Sequence, residues 1–355
     1  MSAALPLPPD APPEIVQAEA NRRTLHGIAL LERGDRAALL EALACFDEAI
    51  ALRETLPLGQ NPLYRWGLTA GWMNRADTLT RLGDPGLVQE ALRSYDIAIA
   101  HLHRLPLADD PAYRWRLAVA WMNRGITVQT QAEMPAHEQA LRCFDTALQV
   151  MQGHEKTARL DYQQVQAAAW MNRSNALLRL APPRWQEAAD SARRALAHGR
   201  TCEDEDRTAA EAGIKARHAL CRCLVHLLET PPVKGAEADA WILEATDAVE
   251  DVMRLTRRHG ILLPLREEFF HFGCRIYRAF QPHFLAGFID DGRTAGTMSH
   301  AMRGAARESL TQAAFQIQQQ NLAGLTPSRL DRLIRTLQAL GEAGEKLGFH
   351  TDPAP

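Results

Sequence analysis

The sequence predicts an all-α solenoid of stacked helix-turn-helix hairpins that is closed by a C-terminal helical cap. Two observations predict this class: a pattern that returns every 49 residues, and apolar residues at spacings of three and four within each period. A fixed period of this length is typical of repeat proteins, in which each unit buries its apolar face only against its neighbours. The spacing of three and four residues is the signature of an amphipathic helix.

Each period contains two helical segments, here called helix A and helix B. Helix A carries a Trp-Met-Asn-Arg tetrapeptide that begins at Trp72, Trp121 and Trp170. Helix B is represented by the segments EALACFDEAI, EALRSYDIAI and QALRCFDTAL, which begin at positions 41, 90 and 139. Proline-containing breakers such as TLPLGQNP and RLPLADDP separate one pair from the next. Each unit is therefore predicted to be a helical hairpin.

These two series resemble the tetratricopeptide repeat family. In that family helix A has Trp, Asn two residues later and a small residue four later, and helix B has Ala, an aromatic and Ala. The matching residues of helix A are Trp72/Asn74/Ala76, Trp121/Asn123/Gly125 and Trp170/Asn172/Ser174. Those of helix B are Ala42/Phe46/Ala49, Ala91/Tyr95/Ala98 and Ala140/Phe144/Ala147. The unit here is 49 residues long, whereas the family's is about 34, so helix A and the loop before helix B are lengthened.

The repeat pattern and the breakers divide the chain into five regions. We predict a disordered proline-rich lead-in at 1–14, four repeat units over 15–200, a degenerate fifth hairpin over 201–260, a capping or docking region over 261–348 and a disordered tail at 349–355. Within the fourth region we expect helices near 264–290, 297–322 and 326–347. The segment 266–292 is rich in phenylalanine. Capping of the open solenoid end is the favoured role of these rings, and docking of a partner or of a second copy is the alternative.

The repeated asparagines and methionines are the candidate ligand contacts. A residue two positions after Trp points about 200° around a helix, away from the face that packs with the Trp. An amide offers a donor and an acceptor together, and methionine suits an adaptable apolar surface. The resemblance implies that these asparagines line a concave face and bind the backbone of an extended peptide. The alternative is that the asparagines bond to neighbouring helices while the methionines fill the core. The candidate set is Asn74, Asn123, Asn172, Met73, Met122 and Met171.

Arginine in helix A and aspartate in helix B each recur once per repeat unit in three successive units. The two series can be paired when one is shifted by one unit. Arginine follows each asparagine of helix A, and aspartate recurs in helix B of the preceding unit. Because helix B of one unit packs against helix A of the next, we predict ion pairs that fix the stacking register. A basic stripe for an acidic ligand is the alternative. The predicted pairs are Asp47–Arg75, Asp96–Arg124 and Asp145–Arg173.

Sequence signatures of catalysis, metal binding and cofactor binding are missing. The chain contains no Gly-rich phosphate loop, HExxH, Cys-x-x-Cys or GxSxG motif. The segment HALCRCLVH at 218–226 places Cys221 and Cys223 on nearly opposite sides of a helix, so either face supplies two ligands, fewer than structural zinc requires. We therefore expect no enzymatic activity, no metal and no cofactor.

Composition restricts the partners. A net charge of −3 argues against nucleic-acid binding, and no run reaches the length of a membrane span. The absence of an export signal at the N-terminus and of a disulfide framework predicts a cytoplasmic protein. The expected function is a scaffold or adaptor that binds an extended peptide or a partner subunit on the concave helix-A face. The alternative is a regulatory or structural subunit of a larger enzyme assembly that docks through the aromatic C-terminal helices.

Overall fold

The computed structural model describes residue 8 and residues 10–131, 134–153, 160–199, 203–229, 235–261, 265–294, 298–319 and 326–348. Within these residues there are fourteen α-helices and no strand, so the predicted all-α class is confirmed. The helices are α1 Pro13–Arg33, α2 Arg36–Glu54, α3 Pro62–Leu82, α4 Pro85–Leu102, α5 Pro111–Gln129, α6 Met134–Val150, α7 Leu160–Leu178, α8 Trp185–Gly199, α9 Arg207–Glu229, α10 Ala236–His259, α11 Leu265–Phe280, α12 Pro282–Thr294, α13 His300–Gln318 and α14 Pro327–Lys346.

The chain forms two compact units, Met1–Pro183 and Arg184–Pro355. The division falls between α7 and α8, which are the helices predicted as the two halves of the fourth repeat unit. The predicted region boundaries at 200 and 260 remain predictions. The predicted tail at 349–355 and most of the predicted lead-in lie outside the described residues, and α1 begins at Pro13.

The N-terminal unit is a solenoid of alternating helices A and B. Helices α1, α3 and α5 pack on α2, α4 and α6 respectively, which forms the hairpins. Each helix B then packs on the next helix A, as α2 does on α3, α4 on α5 and α6 on α7. Successive helices A also contact one another. The stacking of hairpins that the 49-residue period predicts is therefore present in this unit.

Local sequence determines where these helices begin and end. Asn61 and Asp110 precede a proline at the first helical position, and their side chains accept hydrogen bonds from the backbone N–H two residues later. Such residues satisfy amides that the first helical turn leaves without partners. Gly34 and Gly83 end α1 and α3 with φ of 71° and 78°, a conformation that glycine adopts without strain.

The small residue of helix A makes room for the aromatic ring of helix B. A Cβ atom on Gly27 would lie 2.7 Å from the Phe46 ring, and one on Gly125 would lie 2.7 Å from the Phe144 ring. Both rings are fully buried. The partner of the small residue is thus the helix-B ring, whereas Trp72 is only partly buried. The Gly-to-ring contact holds the two helices of a hairpin at close range.

In the C-terminal unit the pairing becomes irregular after α11. Helices α8 to α11 pack in sequence order, but α11 also packs on α13, and α12 packs on α14. The helix expected near 264–290 is two helices, because Pro282 begins α12 directly after α11 ends at Phe280. Five of the seven aromatic side chains of this region are buried: Phe269, Phe270, Phe272, Tyr277 and Phe288. Most of the aromatic side chains of this region therefore pack inside the unit.

A buried ion cluster joins α9 to α10 within the C-terminal unit. Arg217 is 1% exposed and donates hydrogen bonds to both carboxylate oxygens of Glu203, each at 2.9 Å. It also donates to Asp251 Oδ2 at 2.8 Å. The backbone carbonyl of Glu203 lies 2.8 Å from Nε2 of His259, at the end of α10. The short segment before α9 is thereby attached to both helices.

Candidate protein-interaction surface

The helices A of the N-terminal unit present a continuous surface that we call the helix-A strip. In each helix A, the strip consists of the repeat position that asparagine occupies in units two to four and the position three residues later. These two positions share one face of a helix. Contact between consecutive helices A brings these faces side by side, and Asn123 Nδ2 lies 3.3 Å from Asp77 Oδ1 across the α3–α5 contact. The strip residues are Leu25, Ile28, Asn74, Asp77, Asn123, Ile126, Asn172 and Asn175.

The strip combines exposed apolar side chains with free amides. Leu25 is 67% exposed, Ile28 is 40% exposed and Ile126 is 38% exposed. Asn74 and Asn172 are partly exposed, and within the part of the chain that the structure describes their side-chain amides make no hydrogen bond. Water or a ligand must therefore satisfy these amides.

Asn123 differs from the other two repeated asparagines because its amide already has a partner. It donates to Asp77, which also accepts a short hydrogen bond from the Tyr95 hydroxyl. Burial raises the pKa of Asp77 above its ordinary value, although the bonds from Tyr95 and Asn123 act in the opposite direction. Of the two interpretations of the asparagines, bonding to a neighbouring helix therefore applies to Asn123.

The methionines of the motif lie closer to the core than the sequence suggests. Met73 is 7% exposed and packs with Ile99 and Leu102 of α4. Met122 is partly buried against the cluster around Met151, and Met171 is also partly buried. An interior helix A packs on a helix B at each side, so little of its circumference stays open. Met73 is thus corrected from a ligand contact to a core residue.

The three predicted ion pairs are present in the N-terminal unit. The distance from arginine Nε to aspartate Oδ1 is 2.7 Å for Asp47–Arg75, 2.7 Å for Asp96–Arg124 and 2.6 Å for Asp145–Arg173. Each arginine also lies over the tryptophan of its own motif, with 5.6–5.9 Å between guanidinium carbon and ring centroid. Because these guanidinium groups are engaged by carboxylates, they do not form an open basic stripe.

Two of these arginines, Arg75 and Arg124, each connect three helices. Arg75 bonds to Asp47 of the preceding helix B and, through Nη1 at 2.7 Å, to Ser94 Oγ of its own helix B. Arg124 repeats the arrangement with Asp96 and with Cys143 Sγ at 3.4 Å. This geometry supports the proposal that the pairs fix stacking register, because a shifted helix would lose both bonds together.

Exchanging the charges of one pair tests that role. We expect Asp96→Arg and Arg124→Asp each to lower the free energy of unfolding by about 1 kcal/mol, since the carboxylate is half-exposed. The double variant should recover part of this loss, but not the stacking of Arg124 on Trp121. Urea unfolding of the full chain measures the four species of the cycle. Additive losses without recovery would contradict a contribution of the ion pair to stability.

Sequence reasoning missed two groups of residues, one on the helix-A strip and one in the C-terminal unit. The strip positions Leu25, Ile28 and Ile126 could have been found by extending the 49-residue register three residues beyond each asparagine. Arg193, at the position where helix B otherwise has aspartate, forms a bidentate pair with Glu244 of α10 at 2.7 Å. Its partner lies beyond the regular repeats, so no periodic signal could have indicated it.

The cysteines and histidines near 218–226 are placed for packing. Cys221 and Cys223 are buried, and burial raises the pKa of each thiol to about 12. Among the described residues, no three His, Cys, Asp or Glu side chains are grouped as a metal site. Nor does any described helix have the length and apolar character needed to cross a membrane.

Comparison with known proteins gives a structural likeness only. No protein-family model and no curated protein matches the sequence. The crystal structure of BtubC (BKLC) from P. vanneervenii has a TM-score of 0.50 at 12% identity and covers 81% of this chain and 96% of its own. The chain is a helical repeat protein. The S. pombe nuclear import adaptor Nro1 has a TM-score of 0.43 at 11% identity, and the match covers 95% of this chain and 99% of Nro1.

Proposed function

We propose that this helical repeat protein is a non-enzymatic, cytoplasmic interaction scaffold that binds an extended peptide of a partner protein along the helix-A strip. Its repeats would be a lengthened variety of the tetratricopeptide type. One observation supports the proposal: the amides of Asn74 and Asn172 are without partners in the described structure and belong to a strip that also carries exposed apolar side chains.

The chemistry of the strip indicates the kind of peptide. Two free amides match the donors and acceptors of a peptide backbone without selecting a side chain. Leu25, Ile28 and Ile126 offer contacts for apolar side chains. Asp77 is the one charged residue of the strip, and Tyr95 and Asn123 occupy its carboxylate. The ligand is therefore expected to be apolar and extended.

The repeat geometry sets the length of the contact. Neighbouring packed helices lie about 8–10 Å apart, so Asn74 and Asn172, two units apart, are separated by roughly 20 Å. An extended chain advances about 3.3 Å per residue. Both amides can therefore bind one segment of about six residues.

Photo-crosslinking followed by titration tests the proposal. A crosslinking amino acid at Ile126 should capture a partner segment in cells, whereas one at Leu40, exposed on α2, should not. For the captured segment as a synthetic peptide, we expect Asn74→Ala/Asn172→Ala to weaken binding about 10- to 30-fold, at about 1 kcal/mol per amide hydrogen bond. Isothermal titration measures the affinity.

The control removes an exposed amide outside the strip. Gln89 of α4 is exposed, and its replacement by alanine should leave the affinity unchanged. Equal capture at Leu40 and Ile126, or unchanged affinity in the double asparagine variant, would contradict binding on the strip.

A further inference from the structure

The C-terminal unit has a groove of about 860 Å3 between α10 and α12. Tyr277 of α11 and Phe288 of α12 line it, and both are buried. Leu243, which is 58% exposed, and Phe284, which is 55% exposed, stand on opposite walls. Large apolar side chains exposed on both walls of one groove are a common feature of surfaces that another protein covers.

Three carboxylates line this groove near Tyr277. Asp247 and Glu250 come from α10 and Asp291 from α12, and all three are exposed. Glu250 accepts the Tyr277 hydroxyl bond at 2.9 Å. Burial, this bond and the charges of all three carboxylates raise the pKa of Tyr277, so the phenol stays neutral. In the described parts of the unit none of the three forms an ion pair.

The two arginines that line the groove differ in their partners. Arg254 is paired with Asp204 and Asp251, so its charge is compensated. Arg257, near the end of α10, is exposed and has no carboxylate partner among the described residues. The middle of the groove is therefore acidic, and one end carries a free cation.

The α10 wall of the groove is long enough for a helix of about four turns. The groove face of α10 runs from Leu243 to Arg257, a rise of about 21 Å or four turns. Helical walls satisfy their own backbone and offer no edge to an extended strand. On α12, Gly287 faces open space, since a Cβ atom there would meet nothing within 4 Å. No side chain protrudes from α12 at this point, which leaves room for another helix to approach.

We propose that this groove binds an amphipathic helix of a partner protein, with apolar residues toward Phe284 and Leu243 and lysine or arginine toward Asp247, Glu250 and Asp291. The three uncompensated carboxylates determine the sign of the partner's charge, and the apolar walls determine its amphipathic character. This surface lies in the other compact unit from the helix-A strip, so either proposal can fail without the other.

A helical probe of defined charge tests the proposal. The probe is a fluorescent 18-residue peptide of leucine and lysine with its leucines on one face, and its counterpart has glutamate for lysine. With the full chain at physiological salt, we expect anisotropy to show binding of the lysine peptide only. Asp247→Lys/Asp291→Lys should weaken it at least tenfold. Glu342→Lys/Glu345→Lys, an equal charge change on exposed residues of α14, should change it less than twofold.

A steric variant separates the groove from general charge attraction. Gly287→Trp fills the groove from a position with room for a side chain, and should abolish binding while circular dichroism stays unchanged. Gly304→Trp on α13 is the matched control, because that glycine also faces open space. Equal binding of both peptides, or retained binding in Gly287→Trp, would overturn the proposal. So would self-association of the chain that Gly287→Trp prevents, because a second copy would then be the occupant.

Discussion

Replacing Arg217 by alanine is expected to lower the free energy of unfolding of the C-terminal unit by about 3–5 kcal/mol. Arg217 is buried and bonds both oxygens of Glu203 as well as Asp251. Without the guanidinium group, the buried Glu203 carboxylate has lost its cation. Urea unfolding of the full chain measures the loss, and hydrogen exchange of the α9 and α10 amides assigns it to this unit.

A glycine beside the cluster provides a second test. A Cβ atom on Gly213 would lie 1.9 Å from Glu203 Oε1, and that carboxylate cannot turn away because Arg217 holds both oxygens. Gly213→Ala should therefore destabilise the unit. Gly304→Ala, on the open α13 surface, should stabilise it by about 0.5–1 kcal/mol through helix propensity. Similar stability of the two variants would show that Glu203 moves freely and contributes little.

Lowering the pH should weaken the ion cluster around Arg217. Burial alone would raise the pKa of Asp251, but Arg217 and Arg254 outweigh burial and hold the pKa below its ordinary value. A lowered folded-state pKa gives stability that is present above the unfolded value of about 3.9 and is lost as the pH falls through the folded value. The stability difference between the natural protein and Arg217→Ala should therefore narrow below about pH 4.

The sequence predicted the N-terminal unit better than the C-terminal one for a physical reason. In the repeats, each contact recurs at a fixed offset, so Asp96 and Arg124 could be paired by matching two periodic series. After α8 the period disappears, and nothing in the sequence shows that α11 packs on α13 or that Arg193 reaches Glu244. Apolar spacing and capping residues still predicted helices in the C-terminal unit. One of the predicted helices is two helices in the structure, because α12 begins at Pro282.

A helical wheel describes a single helix, so it predicted only part of the candidate site. The wheel placed Asn74 and Asn172 away from the packed face, and both are partly exposed. It could not show that α4 covers Met73, or that Asp77 of the neighbouring helix bonds Asn123. Those contacts depend on side chains that the neighbouring helix contributes, and these differ between repeats.

Asp77 and Tyr95 form a polar pair that the other repeats lack. Units one and three have isoleucine where unit two has Asp77, namely Ile28 and Ile126. They have phenylalanine where unit two has Tyr95, namely Phe46 and Phe144. The two polar residues bond to each other, so each satisfies a group that the other brings into the interior. Removing one of them should therefore cost more than removing both.

We expect Tyr95→Phe and Asp77→Ile each to lower the free energy of unfolding by about 1–3 kcal/mol, because each removes a hydrogen bond from a buried polar group. The double variant restores the isoleucine–phenylalanine pair of units one and three and should match or exceed the natural stability. Urea unfolding of the four species measures the coupling. A loss of unfolding free energy in the double variant that equals the sum of the losses in the two single variants would contradict the coupling.

The pH dependence supplies an independent readout of the same pair. Because burial raises the pKa of Asp77, the folded state binds its proton more tightly than the unfolded state. The contribution of Asp77 is then most favourable below the unfolded value of about 3.9 and falls as the pH rises through the folded value. The stability of the double variant relative to the natural protein should therefore increase from about pH 4 toward neutrality. A constant difference over this range would mean that Asp77 titrates as if it were exposed.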